Sequence, residues 1–207
     1  MFKNEFFIAT LLILGGFLLG SIPFCRIVPK IIMKKDICEL SDDGNPGAAN
    51  VFVHCNVFMG LFCLLLDIGK GFLPVFAAYK MLDCEKILFS AVMITPVLGH
   101  ALGIFNKFKG GKCIATIFGV MIALLPVSRV GLILAFIYIF FAGILRIKPN
   151  SKCSVLSFAC FLMISIPLLI YQSKIPIAIG CFVMACLAIA KHIKSLPKRS
   201  PKEAKSQ

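Results

Sequence analysis

Seven apolar runs, most of them near bilayer-crossing length, dominate this chain: about Phe6–Phe24, Phe58–Tyr79, Ile87–Phe105, Ile114–Val127, Val130–Ile147, Val155–Tyr171 and Ile175–Ala190. A membrane helix needs about twenty apolar residues, fewer where the helix is short or lined by protein. A chain of 207 residues that is 59% hydrophobic and only 15% charged has no water-soluble core large enough to hide such runs. The expectation is an all-α polytopic membrane protein of about seven transmembrane helices. The fourth run is short and either spans fully or is partly re-entrant. Residues 1–190 then form a single membrane domain, and 191–207 a basic cytoplasmic tail. No small-residue cleavage site follows the first run, which is expected to be a retained helix rather than a signal peptide.

Orientation follows from the basic residues. Arg26, Lys30, Lys34 and Lys35, then Lys107, Lys109 and Lys112, then Arg146, Lys148 and Lys152 occupy alternate loops. They share their side with the tail residues Lys191, Lys194, Lys198, Arg199, Lys202 and Lys205. Only Lys3, Lys80, Lys86, Arg129 and Lys174 lie on the other side, and Lys70 falls inside a run. Lys and Arg concentrate on the cytoplasmic side of membrane proteins, so the N-terminus is expected outside and the C-terminus inside. The net charge of +13 is spread over short loops. It forms no basic helix or aromatic-interleaved stripe of the kind that grips nucleic acid.

Ten cysteines include no CxxC pair and no tight Cys/His cluster of the sort structural zinc requires. Cys63, Cys160, Cys181 and Cys186 lie in apolar runs, where free cysteine behaves as a small hydrophobe. The residues therefore call for no metal and no cofactor. Signatures of metalloproteases, serine hydrolases and HxxxxD acyltransferases are missing.

Two loops stand out on the basic side. The first reads Asp42-Asp43-Gly44-Asn45-Pro46-Gly47-Ala48-Ala49-Asn50-Val51. Its glycines, proline and asparagines make tight turns that bring backbone N–H groups and amides close together, and such a nest suits phosphate oxygens. Gly44, Asn45, Gly47 and Asn50 are the candidates there, although an ordinary solvated loop has the same composition. The second loop has Gly99-His100, then Phe105-Asn106-Lys107-Phe108-Lys109-Gly110-Gly111-Lys112, with Thr116 a turn further on. Lys109, Gly110, Gly111, Lys112 and Thr116 are its phosphate-binding candidates, with His100 as a further donor. A helix beginning just past Lys112 would add its own attraction for an anion. Lys107 reads as well as a positive-inside anchor. The spacing is not that of a P-loop.

Asp67 and Lys70 lie i, i+3 in the second run, on one helix face. An ionisable group at mid-membrane costs roughly 2.5–3.5 kcal/mol on insertion scales. The plainest reading is a self-neutralising pair packed in the bundle, with Gly60, Gly69 and Gly71 allowing close helix contact.

Leu19-Gly20-Ser21-Ile22-Pro23-Phe24, Gly44-Asn45-Pro46-Gly47-Ala48-Ala49-Asn50-Val51, Leu66-Asp67-Ile68-Gly69-Lys70-Gly71, and Gly99-His100 with Lys107-Phe108-Lys109-Gly110-Gly111-Lys112 occur in this order. By these four motifs the chain resembles the bacterial acyl-phosphate:glycerol-3-phosphate acyltransferases, the PlsY type. The resemblance covers nearly the whole length. It implies a seven-helix fold in the bacterial cell membrane. It also implies transfer of a fatty acyl group from acyl phosphate to glycerol 3-phosphate, giving lysophosphatidic acid, the entry into phospholipid synthesis. The substrates and the lipid bilayer are then the partners, nucleic acid is not, and no catalytic residue is assigned.

Three positions depart from the family pattern. Asp43 stands where the family usually has Ser, and Val53 where it has Arg, with His54 beside it. The C-terminal stretch His192-Ile193-Lys194-Ser195-Leu196 lacks the family's Asn. Asp43 and His54 are therefore candidates for an altered acceptor site. A non-catalytic or altered-substrate paralogue that binds phosphorylated lipid precursors is one alternative. A small transporter, suggested by the Asp67/Lys70 pair, is another.

Overall fold

The computed structural model describes residues 2–196. Every regular element among them is helical. In chain order these are α1 (Phe2–Ser21), α2 (Phe24–Met33), α3 (Ile37–Leu40), α4 (Ala48–His54), α5 (Val57–Met81), α6 (Ile87–Leu102), α7 (Ile114–Ala123), α8 (Val130–Ile139), α9 (Asn150–Tyr171) and α10 (Ile175–Ile193). A 3-10 turn, Ile104–Asn106, follows α6, and a π-helical turn, Phe140–Ile144, extends α8.

Five helices are long and apolar enough to cross a membrane: α1, α5, α6 with its 3-10 extension, α9 and α10. Two shorter apolar helices, Ile114–Ala123 and Val130–Ile144, complete the set of apolar runs read from the sequence. Ten residues of α7 rise only about 15 Å, half the hydrocarbon thickness. Outward faces are apolar too: Phe6, Phe7, Leu11, Leu14 and Leu18 of α1 are all exposed. A patch of that size facing water would be an aggregation site, whereas lipid accepts it.

Boundaries move where local chemistry demands it. The first helix stops at Ser21 rather than Phe24, because Pro23 has no N–H to give to the preceding turn. A short amphipathic helix, α2, then sets off with Ile27, Ile31 and Ile32 exposed on an apolar face and Arg26 and Lys30 among its polar residues. This pattern suits a helix lying at the interface. At the far end, α10 runs three residues past Ala190. The basic residues Lys198, Arg199, Lys202 and Lys205 lie outside the described residues.

The bundle closes through glycine. α1 packs on α6, and α5 on α7. A methyl group at Gly20 would lie 2.1 Å from the Pro96 carbonyl oxygen, and one at Gly99 2.2 Å from that of Phe17. Across the second pair, Gly71 meets the Thr116 carbonyl at 2.1 Å and Gly119 that of Ile68 at 2.0 Å, measured the same way. Backbones approach this closely only where both sides are small. Gly60 serves differently, making room for the Phe52 ring of α4, and Gly69 faces open space. The close contact expected at Gly69 is therefore not made, because the residue points away from every neighbour. Buried Phe89, Met93, Met121, Phe158, Phe161 and Met184 fill the centre. A small separate cluster of Cys25, Ile37, Ala48, Val51 and Cys63 seats the short helices against α5 at one end.

Loops alternate between the two ends. Ser151 and Ser195 join hydroxyls at 2.7 Å at the end that holds α2–α4. At the other, Lys174 Nζ donates to the Val127 carbonyl at 2.6 Å.

Candidate functional site

The break after α1 is held from below by the intramembrane pair. Lys70 Nζ lies 2.8 Å from an Asp67 carboxylate oxygen and donates to the Ile22 carbonyl at 3.0 Å. Cys25 Sγ donates to the other Asp67 oxygen at 3.1 Å. Both charged residues are about 2% exposed, and the Phe24 ring covers the ammonium at 5.7 Å. A carbonyl freed by the helix break thus receives a proton donor, and the donor's charge is cancelled one turn away. The pair shapes the floor under Ser21-Ile22-Pro23.

Above that floor, the first loop is organised by two aspartates. Asp36 caps α3 by accepting from Cys38 N–H at 3.2 Å. Its carboxylate also receives Arg26 Nε at 2.9 Å, an Arg26 terminal nitrogen at 2.8 Å and Lys30 Nζ at 2.9 Å. The Arg26 guanidinium, and Lys30 after it, outweigh the cost of burial and hold the Asp36 carboxyl well below the usual carboxylate range. Asp43 plays the same part for the glycine–asparagine turn. One oxygen accepts from Asn45 N–H at 3.1 Å and from Asn50 Nδ2 at 2.9 Å. Gly44, at φ +59°, takes the left-handed conformation that glycine adopts without penalty. Gly47 leaves room for the Asn45 amide, 2.7 Å from where a Cβ would sit.

The second loop folds back onto the end of α6. Gly111 N–H donates to the His100 carbonyl at 3.0 Å, so this backbone donor is already used. A Cβ on Gly111 would fall 2.2 Å from His100 Nε2, and one on Gly110 2.1 Å from the Ala101 carbonyl. The glycine pair is what lets the loop lie flat on the buried His100 ring. Asn106, 3% exposed, pins the loop from the other side. Its amide donates to the Lys109 carbonyl at 2.7 Å, and its oxygen accepts from an Arg26 terminal nitrogen. Helix α7 begins two residues after Lys112. Thr116 sits in its first turn, fully buried beside Gly71, with no hydrogen-bond partner for its hydroxyl among the described residues.

The two loops meet. Lys112 Nζ lies 2.8 Å from the second oxygen of Asp43. A narrow cleft beside this contact is lined by Ser21, Pro23, Pro46, His100, Lys109 and Gly111, so the motif-bearing segments other than the α5 pair converge on it. His192, 2% exposed, lies against the Lys112 backbone. Partial burial pushes the Asp43 carboxyl up. Contacts from Lys112, Asn50 and the Asn45 N–H outweigh this and leave it below its ordinary value. A larger cavity, about 270 Å³, lies at the opposite end by Glu5, Phe6, Asp83 and Lys86. None of the residues singled out in the sequence is there.

Other candidates stay apart. No hydrogen bond joins the His54 ring to Asp43 among the described residues; the His54 carbonyl accepts Lys35 Nζ at 2.7 Å instead. Val53 is 75% exposed on α4. Lys107 is exposed, as an anchor would be. Sequence reasoning missed Arg26, Asp36, Asn106 and Cys25 as site-building residues. Arg26 was read only as part of the positive side, and its partner Asn106 lies 80 residues away. Among the described residues no group of three or more His, Cys, Asp or Glu could hold a metal ion.

The cleft thus brings Lys109, the buried His100, the Gly110–Gly111 pair and the Ser21–Pro23 break together at one end of an apolar bundle. Comparisons with known proteins place the chain in a family. The family model described as glycerol-3-phosphate acyltransferase matches residues 10–199. A glycerol-3-phosphate acyltransferase of Endomicrobium trichonymphae is 36% identical over 198 residues, covering 93% of this chain and 94% of its own. Another, of Maridesulfovibrio salexigens, is 32% identical over 185 residues, with 88% and 90% covered. Two crystal structures of PlsY, an integral membrane glycerol 3-phosphate acyltransferase, are similar. The glycerol 3-phosphate form has a TM-score of 0.79 at 26% identity, covering 96% of this chain and 99% of that one. The lysophosphatidic acid form has 0.77 at 27%, with 91% and 89% covered. With nearly its whole length matched by that model and by relatives of the same kind, the chain belongs to the glycerol-3-phosphate acyltransferase family.

Proposed function

We propose that this protein moves a fatty acyl group from acyl phosphate to glycerol 3-phosphate at the cleft between the two loops, giving lysophosphatidic acid and phosphate. The observation that carries this reading is the meeting of the Gly44–Asn50 turn and the Lys107–Lys112 loop through Asp43 and Lys112, above a bundle with an apolar exterior. Both substrates carry phosphate, and Lys112, Lys109, Asn45, Asn50 and His100 are the groups to receive it, while Thr116 is buried at the α5–α7 crossing. Acyl phosphate is already activated. Positioning the glycerol hydroxyl against the acyl carbonyl, and stabilising charge as phosphate leaves, can then carry the rate. No protein nucleophile is required. Phosphate release from acyl phosphate should depend on added glycerol 3-phosphate. Release at the same rate without it would make the protein a hydrolase instead. The transporter reading loses its pointer, since Asp67 and Lys70 neutralise each other and are occupied at the α1 break.

The reading includes seven spans in the bacterial cell membrane, as one domain followed by a basic tail. The N-terminus is outside, and the α2–α4 end, with its loops of Lys and Arg, faces the cytoplasm, where phosphorylated substrates are available. This orientation gives a first prediction. In a cysteine-free background, Gln172→Cys should react in intact cells with a membrane-impermeant maleimide, and Lys148→Cys only after permeabilisation. The reverse pattern would invert the topology, and labelling of both in intact cells would break the alternation of spans.

A further inference from the structure

Lys112 of the second loop and two donors of the first, the Asn45 N–H and the Asn50 amide, are all engaged by one side chain, that of Asp43. Lys112 Nζ contacts one oxygen of Asp43 at 2.8 Å. The Asn50 amide and the Asn45 N–H contact the other, at 2.9 and 3.1 Å. One ammonium and two N–H donors converging on a pair of carboxylate oxygens form the donor set that a phosphate would also take. We infer that the Asp43 carboxylate is a resident anion in the phosphate-binding loops, which an incoming phosphate must displace, and that it thereby sets how tightly and which anions bind. The inference rests on the reading above that Lys112 holds a substrate phosphate.

The geometry allows displacement. The Asp43 side chain is 37% exposed and that of Lys112 23%, so the contact is a partly solvated ion pair. Pairs of this kind contribute at most about fivefold to an equilibrium constant. Gly44, which follows Asp43 at φ +59°, lets the turn adjust without a Cβ in the way. A phosphate dianion carries twice the charge of the carboxylate and more acceptor oxygens, so it competes well for Lys112. A monoanion such as acetate or chloride offers Lys112 nothing that Asp43 does not. The resident carboxylate therefore weakens all anions and excludes monoanions most. Once displaced, it also repels the dianion from a few ångströms away, a further few-fold effect in partly solvated surroundings.

Asp43→Asn keeps the size and one acceptor oxygen but removes the charge. Titration calorimetry of the detergent-purified full chain with inorganic phosphate should show its dissociation constant falling about tenfold relative to the unmodified protein. Acetate should compete measurably with phosphate in the variant and not in the unmodified protein. Asp43→Glu, which keeps the charge, should retain weak phosphate binding and no competition by acetate. Asp43→Ser serves as a second neutral variant should the asparagine form fail to fold, with the same expectation. In the double variant Asp43→Asn/Lys112→Ala the gain should vanish. In turnover, KM for glycerol 3-phosphate should fall, whereas a merely structural Asp43 would give a raised KM. Unchanged or weaker phosphate binding in both neutral variants would overturn the proposal, as would no binding in any form. The binding arm needs no turnover, so a chain that tightens on phosphate but makes no lysophosphatidic acid would refute the acyltransferase reading alone.

Discussion

Lys112→Ala should lower kcat/KM for glycerol 3-phosphate by about a hundredfold while leaving expression, membrane insertion and thermal stability near those of the unmodified protein. Removing a single preorganised donor to developing or bound charge typically costs two to three orders of magnitude, and Lys112 is the cation where both loops meet. Among the described residues its ion-pair partner is the partly exposed Asp43, so little stability depends on it. Lys107→Ala is the internal control. Lys107 is exposed, and its loss should change the rate by less than about twofold. Equal loss from both substitutions, measured as initial rates of product formation, would mean that the loop acts only as a diffuse positive field.

Gly111→Ala should be comparably damaging, by a different route. The added methyl would sit 2.2 Å from His100 Nε2 and 2.7 Å from Cε1. The loop cannot back away, because Gly111 N–H is bonded to the His100 carbonyl and Gly110 already touches the Ala101 carbonyl. The His100 ring must therefore move out of the cleft. A displacement of about 1 Å at a positioning group can cost a hundredfold in rate. If this is the cause, the losses from His100→Ala and Gly111→Ala will not add, and the double variant will be no slower than His100→Ala alone. Additive losses would show that Gly111 acts through something other than His100.

Much of this was legible in the sequence, for physical reasons. Apolar runs are forced by lipid, so all seven runs read from length and composition return as apolar helices, although the fifth as well as the fourth is shorter than the five long ones. Glycine, asparagine and lysine loops are conspicuous against such a background, and both proved to lie at one end. Side-chain partnerships were harder. Arg26 looked like one more positive-inside residue, yet it is the tie between Asp36 and Asn106. Nothing in residue spacing reveals a partner 80 positions away. Asp43 stood out as a departure from the family pattern, but its pairing with Lys112, 69 positions away, is not visible in residue spacing. His192 was noted only for the motif around it, whereas the extra turn of α10 carries its ring to Lys112. One signal was readable and passed over: Gly16 and Gly20 are spaced for a close helix crossing, and Gly20 makes one against Pro96.

Chemistry at the cleft is tested most directly by following the acceptor. Purified protein in liposomes is given acyl phosphate and isotope-labelled glycerol 3-phosphate, and the lipid fraction is analysed. Labelled lysophosphatidic acid, formed with one phosphate released per acyl group transferred and absent when acyl phosphate is omitted, is the predicted result. Unchanged glycerol 3-phosphate and intact acyl phosphate, from protein that still binds phosphate through Lys112, would contradict it.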